Sequence, residues 1–154
     1  SIVKSVVKSN QSRKILLTKR VESILEKKIR NKIISFLGVT FKPNTDDMRD
    51  SCSLFMIPYL AKKNAQILYY DPTGQKDNFK SIKNVKYVDN IKEVCKKSDL
   101  IILHTEWDEF KSLDFKSLVK KKNFKIYDMR NLYNFDEMIR KKIKYFSIGR
   151  RNVN

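Results

Sequence analysis

The chain has 154 residues, 41% of them hydrophobic, and a formal net charge of +17, which fits one globular domain with a short additional segment. It contains neither a stretch of roughly 20 apolar residues that would cross a bilayer nor the apolar core of an amino-terminal secretory signal. Two cysteines without disulfide-framework or metal-ligand spacing, and one histidine, exclude a disulfide framework and a multi-histidine metal site, and the position of that histidine at the end of a predicted strand argues against a His-based triad. We therefore expect a cytosolic protein with reduced thiols and no membrane partner.

The first 29 residues or so contain neither proline nor glycine and predict a helix. The apolar residues of this helix are spaced so that they form a seam along one side, and polar Asn10 and Lys14 interrupt that seam. This favours one amphipathic helix that packs on a partner or a neighbouring domain over a long coiled coil. The pattern begins abruptly at the first residues, and we interpret its start as lying inside a longer helix. The seam residues, spaced by four and three, are Val3, Val7, Asn10, Lys14, Leu17, Val21 and Ile24.

From Lys32 onward, apolar strands and helical segments alternate. This order predicts an α/β fold, a Rossmann-like, doubly wound and mostly parallel sheet, preceded by the long amphipathic helix. The nearly continuous apolar run over 33–39 is typical of a strand buried on both faces. We predict strands over 32–39, 66–70, 85–88, 99–104, 124–128 and 144–148, and helices over 51–64, 90–97, 114–122 and 135–142.

The segment 38–51 follows the first strand, where a doubly wound protein places a ligand loop. Its last residue, Ser51, offers an N-cap for the next helix. Other polar or aromatic residues follow later strands, and parallel strands would bring them to the same edge of the sheet. These residues are Phe41, Lys42, Asp71, Glu106, Trp107 and Arg130.

Lys42 and Arg130 are the candidate cations for a diphosphate, with Arg130 suited to bidentate contact. The alternative is that they pair with local carboxylates such as Asp46 or Asp128. Phe41 and Trp107 are candidates for contact with a base or sugar, although buried aromatic residues more often belong to a core.

The charged residues Asp46, Asp47, Arg49 and Asp50 form a dense cluster, for which a loop that caps and salt-bridges itself is the simpler interpretation. We expect Cys52 and Cys95 to be packing residues, because the sequence places no general base beside either. His104 is expected to be a hydrogen-bonded residue at a strand end.

Two runs, Phe41-Lys-Pro-Asn-Thr-Asp-Asp-Met-Arg-Asp-Ser51 and Thr105-Glu-Trp-Asp108, resemble motifs of the carboxy-terminal, UDP-binding domain of the UDP-glucose dehydrogenase family. The resemblance continues in the same order through Tyr70–Pro72, Asp128–Asn131 and Ser147–Arg150, and it covers almost the whole chain. It implies a central interdomain or dimerisation helix ending in residues 1–30, a UDP-sugar-binding domain over 31–150 and a tail over 151–154.

The resemblance also implies roles for individual residues. Phe41, Lys42 and Arg130 match residues that contact the UDP-sugar, and Arg49 matches an arginine that reaches NAD bound on the other domain. We regard Glu106, Trp107 and Asp71 as structural or supporting. With three glycines in the chain, a Gly-x-Gly-x-x-Gly loop is impossible, and neither cysteine has the surroundings of the family's catalytic cysteine, so we expect no catalytic residue and no metal.

The implied whole enzyme is an NAD-dependent UDP-glucose 6-dehydrogenase, a homodimer that oxidises UDP-glucose twice to UDP-glucuronate through a cysteine-linked intermediate. The present chain would hold the substrate and need an amino-terminal half for NAD and catalysis. Two alternatives differ in class. One is a non-catalytic nucleotide-sugar-binding or dimerisation module from a split or decayed gene; the other is nucleic-acid binding, which the scattered basic residues disfavour.

Overall fold

The computed structural model describes residues 2–149, except for the side chain of Val7. Arg150 and the predicted tail over 151–154 lie outside the described residues. A long helix, α1 (Ile2–Ile24), precedes strands β1 (Ile33–Leu37), β2 (Gln66–Tyr70), β3 (Val85–Tyr87), β4 (Leu100–Leu103), β5 (Lys125–Asp128) and β6 (Lys144–Ser147). The helices between them are α2 (Ser53–Lys62), α3 (Ile91–Cys95), α4 (Phe115–Leu118) and α5 (Phe135–Arg140), with 3-10 turns at Asp77–Phe79 and Asp108–Phe110.

The strands form one sheet in the order β3-β2-β1-β4-β5-β6, and every described pairing is parallel. One apolar core lies between the sheet and helices α1 and α2, and a second lies beneath α3, α4 and α5. The predicted doubly wound fold is therefore confirmed. The strand order reverses between β1 and β4, so the loops after these two strands flank the point where such sheets bind ligands.

Helices α1 to α5 all end earlier than the sequence predicts, α1 and α4 by the widest margins. Helix α1 stops at Ile24 because Glu26 and Lys27 adopt positive φ values of 55° and 64°. Helix α4 covers Phe115–Leu118 rather than 114–122, since Val119 is extended and the backbone N–H of Lys120 donates to the Lys96 carbonyl. Tertiary hydrogen bonding thus replaces the last predicted turns of α4.

Asparagine supplies left-handed backbone conformations in this glycine-poor chain. Asn31, Asn64, Asn123 and Asn131 have φ values between 52° and 67°, a region that asparagine tolerates better than most residues. Asn64 ends the turn between α2 and β2, and Asn123 lies in the turn before β5. The sharp turns that position the strands therefore need few glycines.

The carboxy-terminal part of α1 is fixed against the sheet. Val21 and Ile24 are fully or almost fully buried, the Tyr127 hydroxyl donates to the Leu17 carbonyl at 3.1 Å, and Lys125 Nζ donates to the Ile24 carbonyl at 2.7 Å. Val3, earlier in the predicted seam, is 73% exposed. Among the seam side chains that the structure describes, those in the second half of the helix therefore form the core face. Within the described residues, no helix is both long and apolar enough to cross a membrane.

Candidate functional site

The loop between β1 and α2, residues 38–52, is shaped by its own hydrogen bonds at the carboxyl edge of the sheet. The Thr40 hydroxyl donates to the Lys42 carbonyl at 3.0 Å, and the backbone N–H of Phe41 donates to the Asp47 carbonyl at 3.2 Å. These bonds fold the loop back on itself. Phe41 and Lys42 are both exposed in this loop.

The prediction that Ser51 caps α2 is confirmed by its side-chain hydrogen bond, although Cys52, which has helical φ and ψ and no capping bond of its own, precedes the first residue of the helix. The Ser51 hydroxyl donates to the Val39 carbonyl at 2.6 Å and accepts from the backbone N–H of Ser53 at 3.3 Å. The Ser53 hydroxyl donates to the same carbonyl at 2.6 Å. Both serines thereby tie the start of α2 to the end of β1.

Gly38 lets the loops after β1 and β4 approach each other closely. Its φ is +77°, and a Cβ at this position would lie 2.6 Å from the Thr105 Cβ. The Thr105 hydroxyl donates to the Thr40 carbonyl at 2.7 Å and also contacts His104 Nδ1 at 2.9 Å. A side chain at position 38 would separate two loops that these hydrogen bonds hold together.

Arg130 follows β5 and joins three of the loops at this edge. Its Nε donates to the His104 carbonyl at 2.7 Å, and Nη2 makes a longer contact of 3.4 Å with the Phe41 carbonyl. The Glu106 carboxylate lies 3.6 Å from Nε. The buried Asp128 accepts a hydrogen bond from the Arg130 backbone N–H at 3.0 Å. Arg130 is therefore held by carbonyls and Glu106 rather than by an ion pair with Asp128.

A cavity of about 480 Å³ opens between α1 and this edge of the sheet, and we name it the edge cavity. Its size lies within the range of about 300–1,000 Å³ that is usual for small-molecule sites. Its wall combines a helix face, the β1–α2 loop and the residues that follow β5 and β6. The lining residues are Asn10, Gln11, Arg13, Lys14, Leu17, Phe41, Asp50, Cys52, Met129, Arg130 and Ile148.

The structure brings two of the predicted site residues together in the edge cavity, namely Phe41 and Arg130. Phe41 is 48% exposed, which leaves its ring open to a ligand. Lys42 is the next residue and is exposed, but it does not line the cavity. Sequence reasoning missed the contribution of α1, although the polar residues Asn10 and Lys14 interrupting its seam were a visible signal.

Arg49 lies outside the edge cavity and forms an ion pair with Asp47. Nε of Arg49 donates to Asp47 Oδ1 at 3.0 Å and Nη2 to Oδ2 at 2.9 Å, while the arginine side chain is 87% exposed. The hydrogen bond from Arg49 lowers the pKa of Asp47 to about 2. This pair matches the interpretation of a loop that salt-bridges itself.

The three residues regarded as supporting have structural contacts. Asp71 is buried and its Oδ2 accepts from the Val39 backbone N–H at 2.8 Å. Trp107 packs against the second core, and Glu106 faces Arg130. None of the three lines the edge cavity.

Both cysteines are free, and burial makes them poor nucleophiles. Burial raises the pKa of the Cys52 thiol to about 11 and that of Cys95 to about 12. Both thiols are protonated at neutral pH, in agreement with packing roles. Within residues 2–149, no cluster of three His, Cys, Asp or Glu side chains is placed to hold a metal ion.

His104 is completely buried, and only one of its ring nitrogens has a hydrogen-bond partner among the described residues. Nδ1 contacts the Thr105 hydroxyl, whereas Nε2 is buried without a partner in this part of the chain. The expected hydrogen-bonded histidine is thus half satisfied. Burial, with a smaller contribution from the charge of Arg130, lowers the pKa of His104 to about 3.

We expect His104 to make the protein less stable in mild acid. Its folded pKa of about 3 lies below the unfolded value near 6.5, so its stabilising contribution is complete above pH 6.5 and is lost progressively as the pH falls towards 3. Between pH 7 and pH 5 this amounts to about 2 kcal/mol. Urea unfolding of the wild type and His104→Gln at both pH values measures the difference; equal pH dependence in the two proteins would contradict the assignment.

Comparisons with known proteins show the family of the chain. A sequence model described as "UDP-glucose/GDP-mannose dehydrogenase family, UDP binding domain" matches residues 35–135. A UDP-glucose 6-dehydrogenase of Rhizobium meliloti is 36% identical over 150 residues, covering 97% of this chain and 34% of the relative, and one of Rickettsia felis is 32% identical over 96% of this chain and 34% of the relative. The chain therefore spans about a third of the length of the curated relatives it matches.

The fold is also shared with solved structures. The crystal structure of an NDP-N-acetyl-D-galactosaminuronic acid dehydrogenase from Methanosarcina mazei superposes with a TM-score of 0.73 at 28% identity. That superposition covers 91% of this chain and 29% of the other.

Proposed function

This chain belongs to the UDP-glucose/GDP-mannose dehydrogenase family and contains its UDP-binding domain; from this premise we propose that Phe41, Lys42 and Arg130 hold a UDP-sugar. The observation that carries the proposal is the meeting of Arg130 and Phe41 in the edge cavity, at the carboxyl edge of a doubly wound sheet. This is the position where such sheets bind nucleotides.

Arg130 supplies the diphosphate contact. Its Nε is used in the hydrogen bond to the His104 carbonyl, which fixes the plane of the guanidinium. An arginine has five N–H groups, so both terminal nitrogens retain donors for a phosphate oxygen. An orientation fixed before the ligand arrives reduces the entropy that binding must overcome.

Phe41 and Lys42 extend this contact from the β1–α2 loop. The half-exposed Phe41 ring offers an apolar surface to the base or sugar. Lys42 is exposed beside it, and rotation of its flexible side chain would place its charge near the diphosphate. The intact reaction gains from such positioning, which is worth on the order of 7 to 11 kcal/mol when reacting groups are well oriented.

The chain does not fit NAD as a dinucleotide cradle. The β1–α2 loop has a single glycine, and the space beside Gly38 is filled by Thr105 rather than open to a pyrophosphate. We therefore place the main NAD site outside these residues and propose that Arg49, exposed on the outer side of the loop, adds one contact. NAD supplies the hydride acceptor, and the nucleophilic cysteine must also come from elsewhere because both thiols here are protonated.

Within the whole protein, we propose the oxidation of UDP-glucose to UDP-glucuronate, in the cytosol and in a homodimer. The curated relatives bear the name UDP-glucose 6-dehydrogenase. Exposed apolar residues on α1, including Ile2 at 84% and Leu16 at 68%, provide a surface that a second copy would cover.

Calorimetric titration of the 154-residue chain with UDP tests the binding assignment. We expect wild-type binding, a loss of about tenfold to a hundredfold in Arg130→Ala and about tenfold in Lys42→Ala, since a hydrogen bond to a charged group contributes about 1.5–3 kcal/mol. Sedimentation velocity of the same samples reports whether the chain dimerises.

Two further variants complete the titration. Lys80→Ala is the charge-matched control, because Lys80 pairs with Asp77 outside the edge cavity, and Arg49→Ala separates the NAD assignment from the UDP site by leaving UDP affinity intact. No UDP binding by the wild type, or equal affinity in wild type, Lys42→Ala and Arg130→Ala, would refute the proposed site.

A further inference from the structure

Helix α1 contributes a second set of cations to the edge cavity. Arg13 and Lys14 both line it, one turn before Leu17, whose carbonyl accepts the hydrogen bond from Tyr127. Glu22, further along α1, accepts from the Tyr59 hydroxyl at 2.7 Å and pairs with Lys63 at 3.1 Å. The second half of α1 is thus locked to the sheet and to α2, which fixes the position of the turn that carries the two cations.

Neither Arg13 nor Lys14 has a carboxylate partner among residues 2–149. Among the residues that the structure describes, three cations, Arg13, Lys14 and Arg130, face the edge cavity, and Asp50 is the one carboxylate that lines it. A concave site with an excess of one sign of charge concentrates ligands of the opposite sign. The cavity is therefore built for an anion, and α1 carries two of its three cations.

The electrostatic surroundings of Cys52 show that these charges converge. Burial is the largest influence on the Cys52 thiol and raises its pKa, and Lys14, Arg130 and Arg13 each act in the opposite direction. All three cations are therefore near one side chain of the cavity wall. Two of them come from a helix and the third from the turn after β5, more than a hundred residues along the chain.

We propose that Arg13 and Lys14 bind the diphosphate of the nucleotide together with Arg130, so that α1 is part of the nucleotide site as well as a connection between domains. The inference rests on the proposed UDP-sugar function and adds to it the residues that α1 contributes. It explains why the apolar seam of the helix is interrupted at Lys14. A long cation at that position faces the cavity, where an apolar side chain would face the ligand's phosphates.

The test compares UDP and uridine binding to the 154-residue chain and its variants. Arg13→Gln and Lys14→Gln are each expected to weaken UDP binding about tenfold, and the double variant about a hundredfold. Uridine lacks phosphate, so its affinity should be the same in all of these proteins. Lys19→Gln is the matched control, since Lys19 is exposed on the same helix but does not line the edge cavity.

Glutamine is a good helix former, and the thermal midpoint of each variant verifies that α1 is intact. The charge-preserving Arg13→Lys/Lys14→Arg variant should retain most of the UDP affinity, which a loss caused by helix damage would not allow. The inference is overturned if the double glutamine variant binds UDP as tightly as Lys19→Gln, or if uridine binding falls as much as UDP binding. If the wild type binds UDP and Arg130→Ala weakens that binding, the proposed function stands even when this inference fails.

Discussion

Replacing Gly38 by alanine is expected to lower the free energy of unfolding by about 3 kcal/mol or more, which is a large part of the 5–15 kcal/mol typical of a domain. Two effects add at this position. The backbone has φ +77°, and the new Cβ would lie 2.6 Å from the Thr105 Cβ. Because Thr105 is tied to Thr40 and His104 by hydrogen bonds, it cannot move away without breaking the contact between the β1 and β4 loops.

Gly74→Ala provides the matched control for this substitution. Gly74 has φ +93°, but no heavy atom lies within 4 Å of a Cβ built there. The free energy of unfolding of Gly74→Ala should therefore fall only by the cost of a left-handed backbone conformation for alanine, about 1–2 kcal/mol. Urea unfolding of both variants separates the two effects, and equal losses would mean that Thr105 accommodates the added methyl group. We also expect weaker UDP binding in Gly38→Ala but not in Gly74→Ala, since Gly38 lies in the loop that carries Phe41 and Lys42.

The strands were predictable from local signals, which are strongest in the central strands of the sheet. The apolar runs of β1 and β4 are long enough to indicate strands buried on both faces, and all four helices α2 to α5 fall within predicted segments. The ends of α1 and α4 were not predictable in the same way. Glu26 and Lys27 turn the chain although no glycine or proline marks the place. Helix α4 ends before its last predicted turns because the backbone N–H of Lys120 donates to the Lys96 carbonyl instead of continuing the helix.

The candidate site likewise contains features that the sequence indicates and features that it does not. The position of Phe41 and Arg130 at the same edge was predictable because both lie in loops that follow strands of a parallel sheet, whose carboxyl ends share an edge. The pairing of Arg49 with Asp47 is also local, two residues apart. The contribution of α1 to the edge cavity could not be predicted in this way. Its polar residues line the cavity only because the helix packs beside the turn after β5, which is more than a hundred residues away in the chain. The rotamer that decides whether Lys42 enters the cavity has no sequence signal.

Substituting Asp128 by asparagine is expected to destabilise the protein by about 2–4 kcal/mol and to weaken UDP binding at least tenfold. Asp128 is completely buried, and its carboxylate accepts from the backbone N–H groups of Arg130 and Tyr133, each at 3.0 Å, and from the Tyr145 hydroxyl at 2.6 Å. An amide has one acceptor oxygen, so in either orientation its NH₂ group faces a backbone donor. The turn that carries Arg130 would then lose its anchor, although Arg130 itself is unchanged.

Two controls give this prediction its specificity. Asp108→Asn alters a carboxylate that is 86% exposed and paired with Lys111, and it should change the free energy of unfolding by less than about 0.5 kcal/mol. Tyr145→Phe removes one donor and leaves the carboxylate in place, for a loss of about 1 kcal/mol. If Asp128→Asn were as stable as Asp108→Asn, or lost stability while keeping full UDP affinity, the buried carboxylate would not be what positions Arg130. If Tyr145→Phe kept its stability while Asp128→Asn lost UDP binding, the two backbone hydrogen bonds to Asp128, and not the one from Tyr145, would be what holds the turn that carries Arg130.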